Sequence, residues 1–249
     1  MEKVWGTTRL SPWFPDSEQH IGEVWFEADL PLLVKFVFTA EKLSVQVHPG
    51  DKYAALHENS RGKTEMWHIL RADPGARIAL GFRDAITPAR LREASLSGEI
   101  EGLLNWLEVK PGEIYFTPAG TVHAIGAGIA LCEIQQHSDV TYRLYDYGRP
   151  RELHLDKAVD VTDTTAHTGG PLPLPVDCKY FHVDLQSIHE RTECAPDERR
   201  FRLFIFLEGE GHLDGESYRQ GETWLIPQGA APFAIKPATS TKFLRAWVP

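Results

Sequence analysis

"PGEIYFTPAGTVHAI", Pro111–Ile125, runs through an apolar stretch into a turn built on Pro118 and Gly120 and reaches His123 just beyond it. A second stretch, "QGETWLIPQGAAPFAI", Gln220–Ile235, lies over the first, with Gly112 matching Gly221, Pro118 matching Pro227 and Gly120 matching Gly229. Both share the spacing G-x5-P-x-G. Upstream, "EMWHILRADPGARI" matches "RLFIFLEGEGHLDG" in the same way. Internal repetition of a β unit of this size predicts two barrels or sandwiches packed side by side.

Working outward, strand-like segments recur in each half, among them "KLSVQVHP", "ARIALGF" and "ALCEIQ" in the first and "YFHVDLQSI" and "KFLRAWV" in the second. The fold class expected is mostly β, with a few short helices. Thr87 before Pro88 has the chemistry of an N-cap followed by proline at the first helical position. Leu91, Ala94, Leu103, Leu104 and Leu107 then predict two short amphipathic helices within about 87–107, ending before Pro111 and covering one end of a barrel. "TDTTAHTGGPLPLPV", Thr162–Val176, has neither helical nor strand periodicity and is expected to be a linker. The expected division is therefore an N-terminal domain over 1–161, a linker over 162–176 and a C-terminal domain over 177–249.

The 249 residues carry a formal net charge of −9, which argues against a nucleic-acid partner, since phosphate-backbone binding needs a basic surface. An anionic substrate would need a locally basic pocket. No stretch approaches the roughly 20 apolar residues of a membrane span, and the start lacks a signal-peptide core, so a cytoplasmic protein is expected. Cys132, Cys178 and Cys194 are odd in number and in no metal-like spacing, which predicts free thiols.

The chemistry concentrates elsewhere. In "LSVQVHP", Leu43–Pro49, residues two apart share a strand face, so Ser44, Gln46 and His48 stand in a row and Gln46 and His48 converge on one place. That place is either solvent or a metal. The pattern G-x5-P-x-G-x2-H, carried by Gly112, Pro118, Gly120 and His123, resembles the second signature of cupins, jelly-roll barrels that often hold a metal. In the second copy Pro232 stands at the position of His123 and offers no donor atom, so the metal is expected in the N-terminal barrel alone.

The first cupin signature is altered, with Gln46 in place of its first histidine and Glu65 lying well downstream of His48. "LSVQVHP", "GKTEMWHIL", "TPAGTVHAIG" and "SDVTYRLYDYGR", in that order, resemble type I phosphomannose isomerase in its short form. "WGTTRL" and "IGEVW" extend the likeness from about residue 5 to the end. The resemblance implies that Gln46, His48, Glu65 and His123 are metal ligands. Their two nitrogens and two oxygens suit one Zn²⁺ per chain, although other divalent metals are possible.

It also implies that Arg143 is the active-site arginine, against the plainer reading of a salt bridge with Asp146 or Glu152. Lys63 matches the lysine of a K-x-E motif concerned with proton handling or substrate binding. Many relatives have histidine just before this lysine, where Gly62 stands here. Ser44, Lys63 and Arg143 are the candidate substrate contacts, and Asp139 joins Lys63 and Arg143 as a candidate catalytic group.

The implied reaction interconverts mannose 6-phosphate and fructose 6-phosphate through a cis-enediol. The base is left open between Asp139, Lys63 and a metal-bound hydroxide. The alternatives are a non-catalytic sugar-phosphate-binding cupin and an iron or manganese cupin oxygenase. Composition and motifs leave the oligomeric state open.

Overall fold

A computed structural model describes all 249 residues. The chain forms two compact units, Met1–Thr7 with Gln19–Leu172, and Thr8–Glu18 with Pro173–Pro249. Each is a jelly-roll barrel of two antiparallel sheets, as the internal repeat predicts. No helix is long and apolar enough to cross a membrane.

In the first unit the strands are β1 (Glu2–Thr7), β2 (Glu23–Phe26), β3 (Leu32–Phe38), β4 (Val45–Val47), β5 (Glu65–Ala72), β6 (Arg77–Phe82), β7 (Leu104–Glu108), β8 (Ile114–Thr117), β9 (His123–Ile125), β10 (Ile129–Gln136) and β11 (Tyr142–Tyr145). The helices are α1 (Asp51–Glu58), α2 (Pro88–Ser97), α3 (Ile100–Leu103) and α4 (Leu155–Val161). One sheet has the order β2-β3-β10-β5-β8 and the other β11-β4-β9-β6-β7. The barrel core holds Val37, Trp67, Ile69, Ile78, Tyr115 and Leu131.

Thr87 caps α2 as expected, its hydroxyl accepting from Arg90 N at 3.2 Å, and Pro88 opens the helix. Two expectations about this region are corrected. Leu104 and Leu107 belong not to a helix but to β7, where Leu107 pairs with Ile78 and Leu104 with Phe82. A three-residue spacing in so short a segment does not distinguish helix from strand, and the free edge of β6 decides. Nor do the helices cover a barrel end. Leu91 and Ala94 of α2, Ile100 of α3 and Ala158 of α4 pack with Val45, Val47, Ala124 and Leu144 on the outer face of the second sheet.

That packing reverses the usual sense of a strand. Val45 and Val47 turn outward under the helices, so Gln46, which alternates with them, faces into the barrel. The polar row of "LSVQVHP" is thus an interior feature, not a solvated one.

The second unit contains β12 (Val176–Asp177), β13 (His182–Ile188), β14 (Thr192–Cys194), β15 (Arg202–Glu208), β16 (Glu210–Leu213), β17 (Glu216–Arg219), β18 (Thr223–Ile226), β19 (Phe233–Pro237) and β20 (Thr241–Trp247). Its sheets run β12-β13-β20-β15-β18 and β14-β19-β16-β17. The first of these repeats the order β2-β3-β10-β5-β8 strand for strand.

The units divide the chain differently from the expected 1–161, 162–176 and 177–249. Much of the proline- and glycine-rich segment is tied to the first barrel by backbone hydrogen bonds, Asp163 N to Gly120 O at 2.8 Å, His167 N to Phe82 O at 2.8 Å and Leu172 N to Ile114 O at 2.8 Å. Irregular backbone without periodicity can still be fixed when each N–H finds a sheet edge or turn carbonyl.

Candidate active site

Three neighbouring strands of the second sheet place Arg143, Gln46 and His123 side by side, since Arg143 pairs with Gln46 and Gln46 with His123. Glu65 begins β5 in the opposite sheet. His48, just past β4, completes a cluster in which one ligand atom each of His48, Glu65 and His123 lies within 4.8 Å of the others. All three side chains are buried.

The hydrogen bonds define their tautomers. His48 Nδ1 stands 2.9 Å from Val140 O and His123 Nδ1 2.9 Å from Thr121 O. A carbonyl only accepts, so each Nδ1 carries the proton and each Nε2 presents a bare lone pair. Those nitrogens meet the Glu65 carboxylate, His123 Nε2 3.4 Å from Oε1 and His48 Nε2 3.6 Å from Oε2. His48 Nε2 and Glu65 Oε1 have no hydrogen-bond donor, and the Lys63 ammonium stands 3.0 Å from Glu65 Oε2.

Buried acceptors that face one another without a proton between them are unfavourable unless a cation joins them. The donor set therefore fits a divalent metal. Gln46 borders it, its Nε2 3.2 Å from His123 Nε2 and its Oε1 accepting from Ser44 Oγ at 3.1 Å. A half-turn of the amide exchanges these two atoms and brings the oxygen to the cluster.

Burial pushes both imidazoles down, His48 well below the ordinary histidine value with help from the Lys63 charge, and His123 to about 4. The neutral ring is the form a metal requires. Metal-free protein should lose stability as pH falls. His123 titrates near 6.5 unfolded and about 4 folded, so over that interval the unfolded chain binds more protons. Stability is intact above the unfolded value and declines by about 3 kcal/mol as pH drops through the folded one. Urea unfolding of chelator-treated protein measures this, and His123→Asn should flatten the slope; equal slopes in the two proteins would contradict it.

Beside the cluster lies a cavity of about 250 Å³ whose wall includes Ser44, Gln46, Lys63, Asp139, Thr141 and Arg143. Cluster and cavity wall between them hold Gln46, His48, Glu65, His123, Ser44, Lys63, Asp139 and Arg143. Arg143 makes no salt bridge with Asp146 or Glu152. Its Nη1 donates to the Glu152 carbonyl at 2.8 Å, its Nε is buried without a partner, and Asp146 is occupied by Arg149 and Arg151.

Two further residues of the cavity escaped the motif reading. Lys35 and Glu133 are 3% and 5% exposed and directly paired across β3 and β10. Glu133 Oε1 lies between Lys35 Nζ at 3.7 Å and Lys63 Nζ at 3.8 Å, while Oε2 accepts from Trp67 Nε1 at 3.1 Å. The signal was present as a lone charge inside an apolar strand in both "LLVKFVF" and "ALCEIQ". A lone charge in such a run is rarely tolerated without a partner or a function.

Burial and the neighbouring Glu65 charge raise the Glu133 carboxyl. Burial and the Lys63 charge lower Lys35. Lys63 behaves oppositely, because Glu133 and Glu65 outweigh the effect of burial and raise its pKa. Gly62 leaves no room for a side chain, as a Cβ would stand 2.5 Å from Asp51 N and 2.6 Å from the Gly50 carbonyl carbon.

A barrel of this kind, with a buried His-Glu-His cluster of metal-ligand chemistry beside a cavity of paired charges, is cupin-like. No family model matches the chain. The chain is 37% identical over 228 residues to mannose-6-phosphate isomerase ManA of Bacillus subtilis (strain 168), covering 83% of this chain and 72% of that one. It is 44% identical over 137 residues to mannose-6-phosphate isomerase of Streptococcus mutans, covering 53% of this chain and 43% of the relative.

Among solved structures, that of the mannose 6-phosphate isomerase from Bacillus subtilis superimposes with a TM-score of 0.87 at 30% identity, over 99% of this chain and 96% of the other. An alanine mutant of the phosphomannose isomerase from Salmonella typhimurium shares the fold, with a TM-score of 0.80 at 16% identity. The chain belongs to the mannose-6-phosphate isomerase family and is an isomerase.

Proposed function

We propose that this chain interconverts mannose 6-phosphate and fructose 6-phosphate, with His48, Glu65, His123 and Gln46 holding one Zn²⁺. The observation that carries the reading is the meeting of two buried imidazole Nε2 atoms and the Glu65 carboxylate with no proton between the rings and the carboxylate. Bound there, the metal supplies Lewis-acid polarisation of the sugar oxygens at C1 and C2.

The remaining work falls to the cavity. Lys3, Lys35, Lys63 and Arg143 face Glu23, Glu65, Glu133 and Asp139, and Arg151 is held by Asp146, so these charges balance and a divalent ion leaves two positive charges in excess. That excess matches a phosphate monoester, which carries about −1.5 to −2 near pH 7. The acidic chain thus offers its substrate a locally basic pocket. Lys63, kept protonated by its two carboxylates, is a fixed cation and not the base. Asp139 is open to solvent, its side chain 75% accessible.

Glu133 is the group suited to move the proton between C2 and C1, since burial raises its basicity and Lys35 beside it can give up a proton more readily than an ordinary lysine. Arg143 and Lys63 then stabilise the negative charge that develops on O1 and O2. Phosphorylated sugars do not cross membranes freely, so the cytoplasm is where we place this activity.

Unphosphorylated mannose should be a poor substrate, because it leaves the excess positive charge unmet. Comparing kcat/KM for mannose and mannose 6-phosphate, with and without chelator, tests the reading. Equal values for the two sugars, or turnover indifferent to chelation and zinc readdition, would sink it.

A further inference from the structure

The second barrel encloses a cavity of its own, about 280 Å³, between its two sheets. One side of it is apolar, built on Ile188, Phe204, Ile226, Phe233, Ile235 and Phe243, and the other carries Gln186, Thr192, Glu193, Arg202 and Arg245. The internal repeat says what stands where the first barrel has its metal cluster. Glu65 pairs with Thr117, the residue before Pro118, and Arg202 pairs with Ile226, the residue before Pro227. The carboxylate of one barrel is thus replaced in the other by a guanidinium, and His123 by Pro232.

Charges around this cavity are otherwise cancelled. Arg245 is held by Asp184 at 2.9 and 2.5 Å, and Glu193 by Arg191 at 2.6 Å. Arg202 is different. Its nearest carboxylate, Asp197, is 3.8 Å away, its Nε is buried without a hydrogen-bond partner, and its flat group lies 5.3 Å from the Trp247 ring.

We propose that the interior of the second barrel is a binding site for a small monocarboxylate with an apolar body, anchored on Arg202. A cation left with an unmet buried donor favours an anion. The planar fork of arginine matches a carboxylate, and the Phe and Ile walls accept an aromatic or branched aliphatic body. A sugar phosphate fits less well, because hydroxyls set against the Phe and Ile side would lose water without gaining partners. All of its lining residues belong to the second unit.

Benzoate is the probe, with benzyl alcohol supplying the body without the charge and inorganic phosphate the charge without the body. Calorimetry on the full chain should show saturable benzoate binding at least about tenfold tighter than benzyl alcohol, as a charge-assisted pair requires. Phosphate should not compete. Benzoate should slow alkylation of Cys194, which lines the cavity, followed by peptide mass mapping. Arg202→Gln should weaken benzoate at least about tenfold, Arg202→Lys less, and mannose 6-phosphate turnover should stay unchanged in both.

No saturable binding, competition by phosphate, or full affinity in a folded Arg202→Gln would overturn the proposal. Should that variant fail to fold, Cys194→Phe decides, since it fills the cavity with Arg202 intact. Undiminished benzoate binding there would place the ligand elsewhere and overturn the proposal equally.

Discussion

Glu65→Gln is expected to leave the protein folded, almost free of metal, and slower on mannose 6-phosphate by about 10³-fold or more. Glu65 is the one anionic member of the cluster, and its two oxygens face the two imidazoles. A neutral amide cannot balance a dication in a site this buried, and Lewis-acid stabilisation is worth several kcal/mol. Glu133→Gln supplies the contrast. Its carboxylate pairs with Lys35 and Lys63 and not with the histidines, so this variant should keep its metal while kcat falls by about 10²–10⁴, the usual worth of a general base. Metal analysis beside steady-state kinetics reads both. Zinc retained in Glu65→Gln, or lost in Glu133→Gln, would reverse the roles given to these two carboxylates.

Arg143→Ala should lower kcat by about 10²–10³ with little change in KM, and Arg143→Lys by less. The loss follows from removing a preorganised donor from developing enediolate charge. Lysine keeps the charge but not the fork. If the guanidinium instead holds the ground-state phosphate, KM should rise and kcat persist. Because Arg143 pairs across the strand with Gln46, zinc content has to be followed in both variants, since metal loss would imitate the same defect. A zinc-replete Arg143→Ala within a factor of a few of the parent activity would end the catalytic role.

Much of the site was legible from motifs because strand alternation is strict. In "LSVQVHP" the period of two puts Ser44, Gln46 and His48 on one face whatever the rest of the chain does. Lys63 and Glu65 likewise share a face, and they meet at 3.0 Å. The repeat G-x5-P-x-G announced two barrels because each copy brings its own turn chemistry, with Gly120 and Gly229 both at positive φ, 90° and 67°. Leu104 and Leu107 failed for the opposite reason. Their spacing satisfies a helix, and nothing local reveals that β6 has an edge to fill.

What the sequence by itself determined is therefore whatever depends on neighbours along the chain: strand faces, the Thr87 cap, the repeated turn, and the donor types of Gln46, His48, Glu65 and His123. What only the tertiary structure decided depends on segments far apart. Which face of β4 is interior was settled when α2, α3 and α4 covered Val45 and Val47. The tautomers of His48 and His123 were settled by the carbonyls of Val140 and Thr121. Lys35 and Glu133 became a site only when β3 and β10 paired and closed opposite the second sheet. Burial and charge pairing act through space in a medium of low dielectric, so the protonation of these groups is a property of the closed barrel and not of any one strand.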